Sequence, residues 1–229
     1  MESDRPNVMR VLVAGATGAL GGAIARELAA RGGQIALHGR SRHRLDVLAS
    51  EIGAVVATAA DLTGTGEPER VVSAAADALG GLDVVVCAVG IVAFGPARDV
   101  DDPTLTALLE VNLLVPIRLT RAAVARMERG ATILNISAIV AEMPTAGMAA
   151  YSASKAALTA FDRAGARELR REGIRVIDVR PPHLDTGLET RPIAGAAPRL
   201  PTGQDPSDWA RRIVDAIEDP GCTEVGSGT

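Results

Sequence analysis

An α/β fold, a parallel sheet doubly wound with helices on both faces, is what this 229-residue sequence predicts. Three features lead there. Short apolar runs without helical period alternate with alanine- and leucine-rich stretches of helical length along almost the whole chain. The first such run passes through a glycine cluster directly into a helix. Apolar residues make up 47% of the chain, enough for one sizeable core, yet no run approaches the ~18 residues of a membrane span.

Val8 to Ala14 is the first apolar run, and Gly15-Ala16-Thr17-Gly18-Ala19-Leu20-Gly21-Gly22 leads from it into a helix over Ala23 to Arg31, closed by Gly32-Gly33. Strand, glycine-rich turn and helix form the opening unit of a dinucleotide-binding fold of Rossmann type. Glycine permits the tight turn. It also lets backbone N–H groups approach a pyrophosphate at the helix N-terminus, where the dipole favours negative charge. Gly15, Thr17, Gly18, Leu20 and Gly21 are therefore the first cofactor-binding candidates. Gln34 to Leu37 is the second strand, ending at His38-Gly39-Arg40-Ser41. An acidic residue about 20 positions past the glycines would accept ribose hydroxyls and select NAD. Here Arg40 holds the strand end, Ser41 is placed to cap the next helix, and Arg42 and Arg44 follow. A guanidinium fork at a helix N-terminus suits a 2′-phosphate, so NADP (as NADPH) is expected; a merely solvated Arg40 is the plainer alternative.

The alternation continues with strands at Val55 to Ala59, Val84 to Cys87, Thr132 to Ser137 and Arg175 to Arg180. Helices are expected at Pro68 to Leu79, Pro103 to Met127 and Tyr151 to Glu172. Such sheets bind ligands at the carboxyl ends of their strands, where Asp61, Gly90, Ser137 and Pro181 fall. The proline- and glycine-bearing segment from 183 to 205 is long enough to be a substrate lid. A single domain over 1–229 is expected, without internal repeats. A net charge of −4 with interspersed signs offers neither a nucleic-acid stripe nor a polybasic membrane patch. The polar N-terminus has no cleavable apolar core, which suits a cytoplasmic protein. Cys87 and Cys222 fit neither a disulfide framework nor a metal site, so free thiols and no metal are expected.

Tyr151 is the only tyrosine of the chain and Lys155 its only lysine. They stand four apart in a proline-free helical stretch, so they share one helix face. A free phenol has a pKa near ~10, and a neighbouring ammonium favours its ionised form. A drop of about two to three units would let the phenol give or take a proton near neutral pH. Ammonium is a compact charge with three rotatable donors, unlike the broad guanidinium fork. The bare pattern also suits an ordinary half-buried aromatic beside a solvated lysine; the rest of the chain decides between the two.

Taken together, Gly15 to Gly21, Asp61-Leu62, Gly90, Asn112, Ser137, Tyr151-x-x-x-Lys155, and Pro181 with Thr186 resemble the short-chain dehydrogenase/reductase family in its short single-domain form. The likeness runs from about Val8 to Ile217. It implies hydride transfer between a nicotinamide and a carbonyl or secondary alcohol, as in a carbonyl reductase, with Tyr151 exchanging the proton on oxygen. Lys155 would lower the Tyr151 pKa and bind the nicotinamide ribose. Ser137 would hydrogen-bond the substrate oxygen, and Asn112 would hold a water in a relay ending at Lys155. Asp61 and Leu62 would meet the adenine, Ala88 and Gly90 the ribose, and Pro181 and Thr186 the nicotinamide end.

Some positions depart from the family pattern. Ala19 stands where a glycine is usual, Cys87-Ala88-Val89-Gly90 replaces an asparagine-containing turn, Pro182 replaces a glycine, and the tail from Thr223 is short and polar. The stretch from Leu105 to Val124 is apolar around much of its circumference, which suits burial against both the sheet and a second subunit, a homodimer. The tail leaves a tetramer open. Ile139, Met143, Met148 and Phe94 suggest an apolar substrate cleft. The alternative function is a non-catalytic NADP-binding sensor of the same fold, which would need the glycines and Arg40 but not the phenol.

Overall fold

The computed structural model describes residues 8–226. Seven parallel strands make one sheet in the order β3-β2-β1-β4-β5-β6-β7: β1 Arg10–Ala14, β2 Gln34–Gly39, β3 Val56–Ala59, β4 Leu82–Cys87, β5 Met127–Ile136, β6 Arg175–Val179 and β7 Glu224–Val225. The order reverses between β1 and β4, opening a crevice at their carboxyl ends. The strands read as continuous apolar runs because both sheet faces are covered. Val11 and Val13 face one core cluster while Leu12 and Ala14 face another, as the two-residue strand period requires.

On one face lie α1 (Ala19–Ala30), α2 (Arg42–Ile52) and α7 (Pro206–Glu218). Ile24 and Leu28 of α1 share that cluster with Trp209, Ile213 and Ile217 of α7. On the other face α3 (Glu67–Leu79) and α5 (Val115–Val124) cover Leu12, Val85 and Ile133. Beside them α6 (Ala149–Leu169) lies over β5 and β6.

Several boundaries differ from those expected. Helix α1 begins at Ala19, because extended Gly18 is its N-cap. The helix expected from Pro103 to Met127 is three pieces: α4 (Asp102–Leu109), a π turn over Glu110–Leu114, and α5. The π turn inserts an extra residue per turn and re-aims the side chains it carries, Asn112 among them. The polar tail is not wholly irregular, since Glu224 and Val225 pair with Asp178 and Val179 as a short last strand. Residues past 226 lie outside the described region.

Candidate active site

At the end of β1, Gly15 turns the chain with φ +87°, and a Cβ there would lie 2.6 Å from the Ala88 carbonyl oxygen. The N–H groups of Gly15 and Ala16 donate to the His38 carbonyl at 3.0 and 2.9 Å, tying the turn to β2. A Cβ on Gly21 would collide with the Gly15 carbonyl. Gly15 and Gly21 are thus the positions where only glycine fits. Gly18 has an ordinary φ of −79°, and α1 has no side-chain cap. Ala19 is accommodated on the first turn of α1 in place of the family's glycine.

Thr17 leans over the end of β2, where a Cβ on Gly39 would come within 2.6 Å of its methyl group. Arg40 follows, exposed and without an ion pair among the described residues. Ser41 caps α2, its hydroxyl accepting from the Arg44 N–H at 3.4 Å. Arg42 is already engaged, pairing with Asp46 four residues on and donating to the Ala57 carbonyl at 2.9 Å. Asp61 is exposed after β3; the Thr63 N–H holds it below the usual carboxylate range, and Arg40 adds to the effect. Leu62, expected beside the adenine, is 4% exposed and packs in the core with Val71 and Val72.

Asn112 is fully buried. Its Oδ1 accepts from the Ile91 N–H at 2.9 Å, and its Nδ2 donates to the Ile91 carbonyl at 2.9 Å and to Ser154 Oγ at 3.1 Å. The amide therefore clamps the loop after β4 to α6. A Cβ on Gly90 would sit 3.5 Å from both Asn112 Oδ1 and Lys155 Nζ. The loop after β4, the π turn and Lys155 thus converge.

Tyr151 and Lys155 do share a face of α6, and both are buried. Their electrostatics differ from the expectation. Burial pushes the Tyr151 phenol up to about 12, with no lowering by Lys155. Burial also lowers Lys155 to about 8, against the opposing pull of Cys87, Asp178 and Asp162. The ammonium donates to the Ile136 carbonyl at 2.8 Å, a strand-end partner that the four-residue spacing could not reveal. Ser137, also buried, donates to the Lys155 carbonyl at 3.1 Å and lies 2.9 Å from Thr159 Oγ1. Its hydroxyl makes no hydrogen bond with Tyr151 among the described residues.

The segment after β6 explains why the phenol is buried. Pro181 accepts from the Ile139 N–H at 2.9 Å, joining the ends of β5 and β6. Thr186 donates its N–H to the Leu184 carbonyl at 2.8 Å, and its hydroxyl accepts from the Leu188 N–H at 3.3 Å. Farther on, the Ile193 N–H donates to the Val92 carbonyl at 2.9 Å and the Phe94 N–H to the Ala194 carbonyl at 3.0 Å. Gly195, with φ +68°, passes so close to the Phe94 carbonyl that a Cβ would collide. Leu188, Ala194 and Ala197 then pack on the cluster of Phe94, Val140 and Tyr151. A 260 Å³ cavity beside it is lined by Phe94, Thr104, Met148, Ala150 and Ala194. Met143 is 67% exposed and lies outside this cluster, contrary to the expected cleft lining.

Sequence reasoning passed over a polar group behind Ser137 and Lys155. Asp162 accepts from Asn135 Nδ2 at 2.6 Å, and Asp178 accepts from Arg180 Nη1 at 2.9 Å. Burial raises both carboxyls, Asp162 to about 8. Two signals were available: Asp162 lies seven residues past Lys155 on the inward stripe of α6, and Asp178 interrupts an apolar strand. Cys87 and Cys222 are free thiols. Among the described residues no helix is long and apolar enough to cross a membrane.

A glycine turn at the switch point of a parallel sheet, facing a buried tyrosine–lysine helix, defines a nucleotide-binding α/β protein of dehydrogenase type. A family model described as short chain dehydrogenase matches residues 9–194. The chain is 35% identical over 182 residues to Nodulation protein G of Rhizobium meliloti, spanning 78% of this chain and 74% of that protein. An uncharacterized oxidoreductase of Staphylococcus saprophyticus is 29% identical over 225 residues, covering 95% of this chain and 94% of the relative. The fold superposes on a short chain dehydrogenase from Burkholderia cenocepacia, solved in complex with NADP, with a TM-score of 0.85, 29% identity and 95% of each chain covered. The chain belongs to the short-chain dehydrogenase/reductase family of oxidoreductases, which use a nicotinamide cofactor.

Proposed function

We propose that this protein is an NADP(H)-dependent oxidoreductase working between a carbonyl and a secondary alcohol, with Tyr151 as general acid and base. The observation that carries the reading is the convergence of Asn112, Gly90 and Lys155, on the helix face of Tyr151, across the crevice from the Gly15 cradle. The cradle suits a dinucleotide: no Cβ can stand at Gly15 or Gly21, and the N-terminus of α1 has no side-chain cap.

Bound nicotinamide supplies or accepts the hydride; the chain's own residues do the rest. Gly15, Thr17, Gly18, Leu20 and Gly21 hold the pyrophosphate. Arg40 and Ser41 take the 2′-phosphate, Asp61 and the Leu62 backbone flank the adenine, and Ala88 and Gly90 flank a ribose. Pro181 and Thr186 hold the nicotinamide end. A phenol with a pKa of about 12 keeps its proton at neutral pH, so Tyr151 is set to donate to the substrate oxygen in the reducing direction. Lys155, with its ordinary value lowered to about 8, is cationic near neutral pH. In exchanging the Ile136 carbonyl for the cofactor ribose it would come to favour a phenolate, which the oxidising direction needs. Ser137 orients the substrate oxygen and Asn112 fixes the loop that carries Gly90. Residues 183–205 act as the substrate lid, latched on Val92 and Phe94. Helices α4 and α5, with Leu105 38% exposed, support a homodimer, which sedimentation tests.

The deciding experiment is a panel of ketones, β-keto acyl compounds and secondary alcohols, with NADPH and NADH assayed in parallel. Turnover preferring NADPH is expected. Tight NADPH binding without turnover of any compound would favour the non-catalytic sensor. Arg40→Asp is expected to move the preference toward NADH by about tenfold or more, as loss of a charge-assisted contact worth ~1.5–3 kcal/mol requires. An unchanged ratio of kcat/KM values removes Arg40 from the phosphate site.

A further inference from the structure

Ser137 has one proton and two buried neighbours able to take it. Its hydroxyl is 3.1 Å from the Lys155 carbonyl oxygen and 2.9 Å from Thr159 Oγ1. A serine proton spent on either neighbour is not available to a substrate oxygen. The Lys155 carbonyl can only accept. Thr159 can do either: accepting draws the Ser137 proton inward, whereas donating fills a Ser137 lone pair and leaves the proton free to turn outward.

What stands behind Thr159 is therefore of consequence. Asp178 pairs with Asn135 across β5 and β6, on the same sheet face as Ser137. Asp178 is 2% exposed and is held by Arg180 Nη1 at 2.9 Å; among the described residues it makes no hydrogen bond with Thr159, whose own proton is thus left for Ser137 Oγ. Arg180 is fixed in turn by Glu224 and, at 3.3 Å, by Glu142. Ser137 and Thr159 form one polar pair at the strand end, and Asp178 and Arg180 form a second.

We propose that Thr159, by donating to Ser137 Oγ, is a positioning residue that sets the direction in which the Ser137 hydroxyl donates. The inference rests on the reading that Ser137 serves the substrate oxygen. In Thr159→Val, a change of nearly equal volume, the Lys155 carbonyl remains as the Ser137 acceptor and nothing holds the other side of the hydroxyl.

The test uses the panel compound with the highest kcat/KM and compares wild type, Thr159→Val, Thr159→Ser, Ser137→Ala and the Ser137→Ala/Thr159→Val double variant. NADPH affinity by fluorescence and the melting temperature are measured alongside. Thr159→Val is expected to lower kcat about tenfold, roughly one hydrogen bond's worth, with NADPH affinity unchanged, and Thr159→Ser to restore most of it. In the Ser137→Ala background Thr159→Val should then cost nothing further, because it acts through the missing hydroxyl. An equal loss in both backgrounds would overturn the proposal, since a structural role does not need Ser137. So would a Thr159→Val enzyme with wild-type kcat. If Ser137→Ala alone keeps full turnover, the role of Ser137 itself is refuted and the positioning of its proton falls with it.

Discussion

Helices α7 and α6 lie on opposite faces of the sheet and are held there by opposite chemistry. Beneath α7, Trp209, Ile213 and Ile217 meet Ile177, Val179 and Val225 in one apolar cluster. Beneath α6, Lys155, Thr159 and Asp162 face Asn135, Ser137, Asp178 and Arg180. The first interface gains from every square ångström it buries, at about 25 cal/mol each. The second carries buried polar atoms without a hydrogen-bond partner, Asn135 Oδ1, Ser152 Oγ and Asp162 Oδ2 among them. Each such atom costs about 1–3 kcal/mol. The contrast sets an apolar interface on the α7 side against a polar one on the α6 side, where burial moves Tyr151, Lys155 and Asp162 away from their ordinary values.

The largest expected effect is on the α6 side. Tyr151→Phe should lower turnover by about 10²–10⁴-fold, the range of a lost general acid. Melting temperature and NADPH affinity should stay near wild type. A variant that loses stability and keeps turnover would invert the division of labour. On the α7 side, Ile213→Ala removes a side chain with no exposed surface and should cost about 2–5 kcal/mol in urea unfolding, leaving kcat unchanged in the protein that stays folded. A selective loss of kcat there would show that the two faces are coupled.

The smallest effect is a pH dependence that sharpens the comparison. The folded-state value of Asp162 is raised from 3.8 to about 8, so its contribution to stability is fully present below the unfolded value and is lost as pH rises through about 8. Asp162→Asn keeps the acceptor for Asn135 and removes the proton. From about pH 5 to about pH 8, wild type should therefore lose more melting temperature than the variant. Equal slopes would mean that Asp162 is ionised in the folded protein.

Sequence order alone sufficed for the parallel α/β sheet, because strand and helix periodicities are local and the glycine turn is contiguous. The same holds for Tyr151 and Lys155 on one helix face, for Ser41 as a cap, and for Gly15 and Gly21 as positions without room for a Cβ. The inward turn of Leu62 had no local signature, since one residue of register decides which side of the chain a strand-end side chain leaves. The π turn at Asn112 has no periodic signature. Only the tertiary structure decided the state of the site. The segment at 188–197 reaches across to Val92 and Phe94 and packs on the cluster that holds Tyr151, while Asp162 and Asp178 come to stand behind Lys155 and Ser137. Charge burial is a property of what lies within a few ångströms in space, and here Cys87 and Asp178 come to Lys155 from two strands of the sheet.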